Sequence, residues 1–158
     1  MRSGVRKSVA SQLAVLACLI VLAVSLLPGT AAAQSSNSAQ VQEFTQNVEG
    51  VLFPFNVYNK TVNSGVLDSD ADYLKQHSGS QFWIQGHADN RGDVVYNLAL
   101  SYRRAQFVKS NLIKRGVPGS QIGFATGWGK LYPKCEQNDD SCWQENRRVD
   151  MVLPDNAL

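Results

Sequence analysis

Apolar residues recur along this chain with two periods, near two and near 3.6, and the changes of period mark out its elements. Between Gly50 and Phe55, Val51, Phe53 and Phe55 alternate, which predicts a first strand. Pro54 lacks a backbone donor, so that stretch belongs at an edge, a strand end or a bulge. Leu67, Ala71 and Leu74 fall on one face of a helix predicted over Val66 to Gln76. Gln81 to His87 alternates again and predicts a second strand, with Phe82, Ile84 and Gly86 facing one way and Trp83, Gln85 and His87 the other.

A long helix should follow, from about Val94 to Arg115, with Asp93 as its N-cap and Gly116 as its stop. Leu98, Ala105, Val108 and Leu112 form its apolar stripe. Val117-Pro118-Gly119 is a turn, Ile122 to Gly127 a third strand and Arg147 to Leu153 a fourth. A helix between two successive strands implies a right-handed parallel crossover. The expected fold is an α/β (α+β) two-layer sandwich, with helices on one face of a mixed four-stranded sheet.

The first 33 residues have a different character. Arg2, Arg6 and Lys7 precede an apolar run from Leu13 to Leu27, and Ala31-Ala32-Ala33 supplies small residues before Gln34. This predicts a secretory signal peptide cleaved there. The run is short for a membrane span, although an uncleaved anchor would also place these cations on the cytoplasmic side. The next stretch, Gln34 to Asn47, is rich in Ser, Gln and Asn and is expected to be a flexible linker, with the folded domain over 48–158. At 158 residues the chain suits one domain with a moderate core. Its net charge is +2, but residues 1–33 carry three cations and no anion, leaving about −1 for the remainder. The basicity therefore gives no case for nucleic-acid binding.

The chemistry concentrates between Gly86 and Ala105. Asp89 lies in the loop before the long helix, and Asn97, Ser101 and Arg104 follow at helical spacing on one face. An anionic Asp and a cationic Arg flanking one pocket suit a ligand carrying both an ammonium and a carboxylate, as a free amino acid does.

These residues also carry a resemblance. The run Gly86-His87-Ala88-Asp89-Asn90-Arg91-Gly92, then Tyr96-Asn97, Leu100-Ser101, Arg104-Ala105 and, near the end, Asn146-Arg147-Arg148-Val149 resembles the OmpA C-terminal-like domain, over roughly Val48 to Leu153. Within that family it is most similar to the lipoprotein branch associated with peptidoglycan. The resemblance implies a βαβαββ arrangement and non-covalent binding of meso-diaminopimelate in the peptidoglycan stem peptide, with the ligand roles falling on Asp89 and Arg104. Asn97 would orient Arg104 or touch the ligand, and Arg148 would pair with Asp89 or hold the pocket. The family carries Asp where Pro54 stands and Asp or Asn two residues later. Asn56 keeps the second contact, and the first is lost. A Tol-system envelope partner is the alternative that the resemblance raises.

Cysteine usage fits export. Cys135 and Cys142 flank a polar segment, Glu136 to Ser141, and are expected to form a disulfide closing a surface loop. A metal site there would need a second Cys or His pair, and the only histidines, His77 and His87, lie far upstream. Cys18 sits inside the apolar run, which continues past it, unlike a lipidation site at the end of such a run. Nothing calls for a cofactor. A wall hydrolase or amidase would need a metal triad, a Cys-His pair or two opposed carboxylates. After residue 33 the chain offers no HExxH, no cysteine beyond the expected disulfide pair and no Gly-x-Ser-x-Gly elbow.

Overall fold

In the computed structural model, which describes residues 29–154, the alternation at Phe82 and Ile84 becomes the core-facing side of a central strand. The element order is α1 (Gly29–Asn47), β1 (Val51–Leu52), α2 (Val66–Gln76), β2 (Phe82–His87), α3 (Val94–Lys114), a 3-10 turn (Gly119–Gln121), β3 (Ile122–Gly129), α4 (Asp140–Asn146) and β4 (Arg148–Val152). The folded unit discussed below begins at Gln40. The expected signal peptide and Cys18 fall almost wholly outside the described residues.

The sheet is mixed, in the order β1-β4-β2-β3. Strands β2 and β3 are parallel, joined by α3 as the crossover, and β4 runs antiparallel to both β2 and β1. Ile84 faces Met151 and Val51 faces Val149 across the pairs. This apolar face meets Leu67, Ala71 and Leu74 of α2 and Ala105, Val108 and Leu112 of α3 in one core.

Helix α3 begins and ends as its sequence dictates. The Asp93 carboxylate accepts from the backbone N–H groups of Val95 and Tyr96, satisfying two of the orphan donors at a helix start. At the other end Gly116 takes φ 91°. The N–H groups of Gly116 and Val117 then return to the carbonyls of Ile113 and Leu112, a Schellman ending that favours glycine.

Two glycines set how closely α3 lies on the sheet. Gly86 and Gly127 are partners across β2 and β3. A Cβ on Gly86 would stand 2.1 Å from the Ser101 carbonyl oxygen, and one on Gly127 2.3 Å from the Tyr102 nitrogen. The helix backbone therefore rests directly on the strands, and Ser101 Oγ accepts a buried 2.8 Å hydrogen bond from the Gly129 N–H.

Four expectations need correction. The first strand is only Val51–Leu52. After it the Phe53 N–H bonds to the Arg147 carbonyl, Pro54 cannot donate, and Phe55 turns out to solvent at 59% exposure. Asn63 closes the strand's free edge, its amide group accepting from the Leu52 N–H and donating to the Gly50 carbonyl. Residues 34–47, expected as a linker, are helical. Phe44 and Val48 enter the core, Phe44 packing on Tyr73 and Phe82. In α3, Leu100 rather than Leu98 completes the buried stripe. The polar segment before β4 is not all loop, because α4 forms there, capped by the Asp139 carboxylate accepting from the Cys142 N–H.

Candidate ligand-binding site

The strand β2 ends at His87, and the loop that follows, with the start of α3, forms one wall of a pocket. The loop after β1 and the segment entering β4 close it. Its lining includes Asp89, Arg91, Tyr96, Asn97, Arg104 and Arg147, with Phe55, Asn56 and Leu100 among the remainder. The volume is about 160 Å³, below the roughly 300–1,000 Å³ of pockets for drug-sized ligands and suited to an amino-acid head group.

Asp89 sits at 3% exposure with its acceptors occupied. Oδ1 accepts from the Arg91 backbone N–H and Nε, each at 3.2 Å, and Oδ2 from Arg91 Nη2 at 2.8 Å and Arg147 Nη1 at 3.1 Å. Burial pushes this carboxyl up, but the hydrogen bonds from Arg91 and Arg147 outweigh it and hold the group below its ordinary range. Asp89 is therefore ionised at neutral pH. Arg147 is held in turn by the Phe53 carbonyl at 3.1 Å and Gln144 Oε1 at 2.6 Å. The Arg91 guanidinium lies between two aromatic faces, 4.2 Å from the Phe55 ring centre and 4.0 Å from that of Trp143.

Arg104 lies at the bottom of the pocket and is fully buried. Nε, Nη1 and Nη2 donate to the carbonyls of Val57, His87 and Pro54 at 2.9, 3.0 and 3.0 Å. Three of its five N–H groups are thus committed to backbone, leaving two for a ligand. Burial first, and then the charge of Arg147, lower its pKa to about 10, so the guanidinium keeps its charge at neutral pH.

The other predicted residues are distributed unevenly. Asn97 lines the pocket but makes no hydrogen bond to Arg104. Its side chain donates to the Arg91 carbonyl at 2.7 Å and fixes the Asp89 loop. Lys130 Nζ clamps the same loop from outside, through the Gly92 carbonyl at 2.8 Å. Asn56 is at the rim with φ 57° and accepts a hydrogen bond from the Tyr96 hydroxyl. Arg148 is elsewhere: it pairs with Asp150 at 2.7 Å and is absent from the pocket lining. The pairing with Asp89 belongs to Arg147, one residue earlier, at the C-cap of α4 just before β4 begins.

His87 is buried, with Nε2 3.6 Å from Asp150 Oδ2. Burial, assisted by the charge of Arg148, lowers its pKa to about 4, so its ring is neutral at pH 7. Among the described residues no group of three or more His, Cys, Asp or Glu is placed to hold a metal ion. Cys135 and Cys142 are joined by a disulfide, with Cα atoms 5.7 Å apart.

Reading the sequence for function assigned no role to Arg91, Arg147, Phe55, Tyr96 or Trp143. Arg91, Tyr96 and Arg147 stand inside the motifs singled out above. Phe55 and Trp143 carry no pattern beyond their local elements.

The OmpA family profile matches residues 59–148. Relatives named peptidoglycan-associated lipoprotein include that of Rhizobium meliloti, 38% identical over 115 residues, covering 71% of this chain and 64% of that protein. That of Agrobacterium fabrum is 34% identical over 128 residues, covering 79% of this chain and 71% of that protein. The chain thus spans under two thirds of the Rhizobium protein's length. Among solved structures, the peptidoglycan-associated lipoprotein from Burkholderia pseudomallei superposes with a TM-score of 0.59 at 38% identity, over 65% of this chain and 87% of that one. A putative MotB-like protein from Desulfovibrio vulgaris has the same fold, with a TM-score of 0.59 at 20% identity, over 77% of this chain and 93% of that one.

Proposed function

Since the chain belongs to the OmpA family, we propose that its domain binds peptidoglycan non-covalently, through the free amino-acid end of meso-diaminopimelate in the stem peptide, and so ties the cell envelope to the wall. The observation that carries this reading is the pocket in which the Asp89 carboxylate and the Arg104 guanidinium stand at one small cavity. An ammonium is drawn to the first and a carboxylate to the second, where a partly desolvated guanidinium binds most strongly. Asn97 and Lys130 keep the loop between them fixed. Nothing in this scheme breaks a bond; a charge pair held at fixed separation gives selectivity.

The protein is exported and acts in the periplasm, in association with the outer membrane or the wall. Its N-terminus is released after Ala33 or held by an anchor, and mass spectrometry of the purified protein separates a start at Gln34 from a lipidated Cys18.

The test of the binding reading uses the unaltered protein. Sedimented with sacculi, it should pellet with wall containing meso-diaminopimelate and be released by the free amino acid. Wall of the lysine type offers the ammonium but no carboxylate at that end. Losing a charge-assisted hydrogen bond of about 1.5–3 kcal/mol should weaken binding by roughly ten- to a hundredfold. Equal pelleting with both walls would refute the site. Pull-downs on purified wall and on envelope lysate distinguish this reading from that of a Tol-system interaction module.

A further inference from the structure

We propose that Arg91 is a resident competitor for Asp89: its side chain fills the seat of a ligand ammonium, must swing out for one to bind, and so sets what the pocket accepts. The inference rests on the wall-binding reading and extends it to a residue that reading leaves unused.

A carboxylate offers about four acceptor positions. On Asp89 all four are taken, three by Arg91 and one by Arg147. A ligand ammonium therefore finds no vacancy until a donor leaves. Arg147 is poorly placed to leave, because its side chain is 10% exposed and is also bonded to the Phe53 carbonyl and to Gln144. The Arg91 side chain is 35% exposed; beyond Asp89 it lies over the faces of Phe55 and Trp143 and feels the Asp140 charge without a hydrogen bond to it. Such faces attract a cation without fixing its direction, so the guanidinium can slide out along them. Its backbone stays in place, since Asn97 holds the Arg91 carbonyl.

The exchange has a consequence for selectivity. With Arg91 seated, the pocket holds three guanidiniums and one carboxylate and attracts any carboxylate. Only a ligand that also carries an ammonium can replace what Arg91 gives up at Asp89. The resting arrangement is a conformational tax on the binding-competent form, and removing it raises apparent affinity by the reciprocal of that form's population.

The experiment titrates meso-diaminopimelate, and separately pimelate, which has the two carboxylates and no ammonium, into the full chain and into Arg91→Gln by calorimetry. Arg91→Gln should bind meso-diaminopimelate about tenfold tighter or more and pimelate no tighter. Tryptophan emission gives a second readout that needs no change at Arg91. Meso-diaminopimelate should alter the emission of the unaltered chain as the cation leaves Trp143, and Trp143→Phe should abolish that change. Unaltered or weaker binding of meso-diaminopimelate by a folded Arg91→Gln, or an emission change that survives Trp143→Phe, would overturn the proposal. Failure of both the unaltered chain and Arg91→Gln to bind meso-diaminopimelate would overturn the wall-binding reading, and this inference with it.

Discussion

Removing the Arg104 side chain would take a donor from each of three backbone carbonyls at once, of which that of Pro54 keeps a second donor, the Val57 N–H at 3.4 Å. Unsatisfied buried groups cost about 1–3 kcal/mol each, so Arg104→Ala should lower stability by roughly 3 kcal/mol or more, read from a urea midpoint. Arg104→Lys, which keeps the charge but not the planar fork, should fall between. A loss of wall binding by Arg104→Ala is thus interpretable only at a temperature where the variant is folded. Burial raises the Asp70 carboxyl to about 7, against a hydrogen bond from the Glu49 N–H that lowers it. A raised carboxyl pKa gives stability that is complete below about pH 4 and lost as pH rises through about 7. The buried His87, lowered to about 4, contributes with the opposite sign, its stability being complete above about pH 6.5 and lost as pH falls toward 4. The two offset each other between these limits. Asp70→Asn should therefore gain on the order of 2 kcal/mol at pH 8 and leave a stability that climbs from pH 4 to 6.5. A variant profile parallel to that of the unaltered protein would refute this assignment. The motif and the helical period made Asp89 and Arg104 legible as neighbours of one site. The carbonyls that occupy Arg104 were not, because two of the three come from residues 54 and 57, in a loop whose path no period predicts. Arg147 was hidden behind Arg148, its neighbour in the same motif, because it stands at the C-cap of α4, before β4 begins, where no strand period fixes a side chain.

At the scale of elements, the long periodic segments were read within a residue or two, and α2 at both ends. Helix α3 owes this to local signals at its ends, the Asp93 cap and the Gly116 stop. Short or polar elements were missed for the opposite reason. The two residues of β1 cannot show an alternation, and the seven of α4 span barely two turns. In 34–47 the Ser, Gln and Asn content outweighed one telling interval, Val41, Phe44 and Val48, spaced three and four apart on a single helical face. Phe44→Ala tests that helix. If its ring belongs to the core as described, its loss should cost about 3–5 kcal/mol, whereas a linker residue would cost almost nothing. Gly86→Ala tests the contact between α3 and the sheet. The added methyl would meet the Ser101 carbonyl, a backbone atom that cannot move aside without shifting the helix. Overpacking of this kind costs about 1–3 kcal/mol or more. The shift would also move Arg104, one turn further along α3, so binding should weaken even in the folded variant.

For the molecule as a whole, the pocket is a junction where the loop after β1, the end of β2, the start of α3 and the segment entering β4 meet. The disulfide acts on this junction indirectly. It ties Cys142 of α4 to Cys135, and α4 also carries Trp143 and Gln144, which touch Arg91 and Arg147. Closing so short a loop contributes about 2–3 kcal/mol in the chain-entropy description. Replacing both cysteines by Ser should lower the unfolding free energy by about that much, read as a lower denaturation midpoint at unchanged slope, while leaving the domain folded. A variant with an unchanged midpoint would show that α4 needs no staple. The joining of the two layers can be followed at a single atom. Strand β3 lies at the edge of the sheet, where backbone amides ordinarily meet solvent and trade their hydrogens for deuterium quickly. The Gly129 amide instead points into the protein, onto the Ser101 hydroxyl of α3. Its hydrogen can be replaced only when the helix lifts from the strands, an opening on the scale of the whole fold. In heavy water Gly129 should thus rank with the slowest amides of the central strand, and Ser101→Ala should release it toward the rate of its edge neighbours. That one slow proton would be a clock for the separation of helix from sheet.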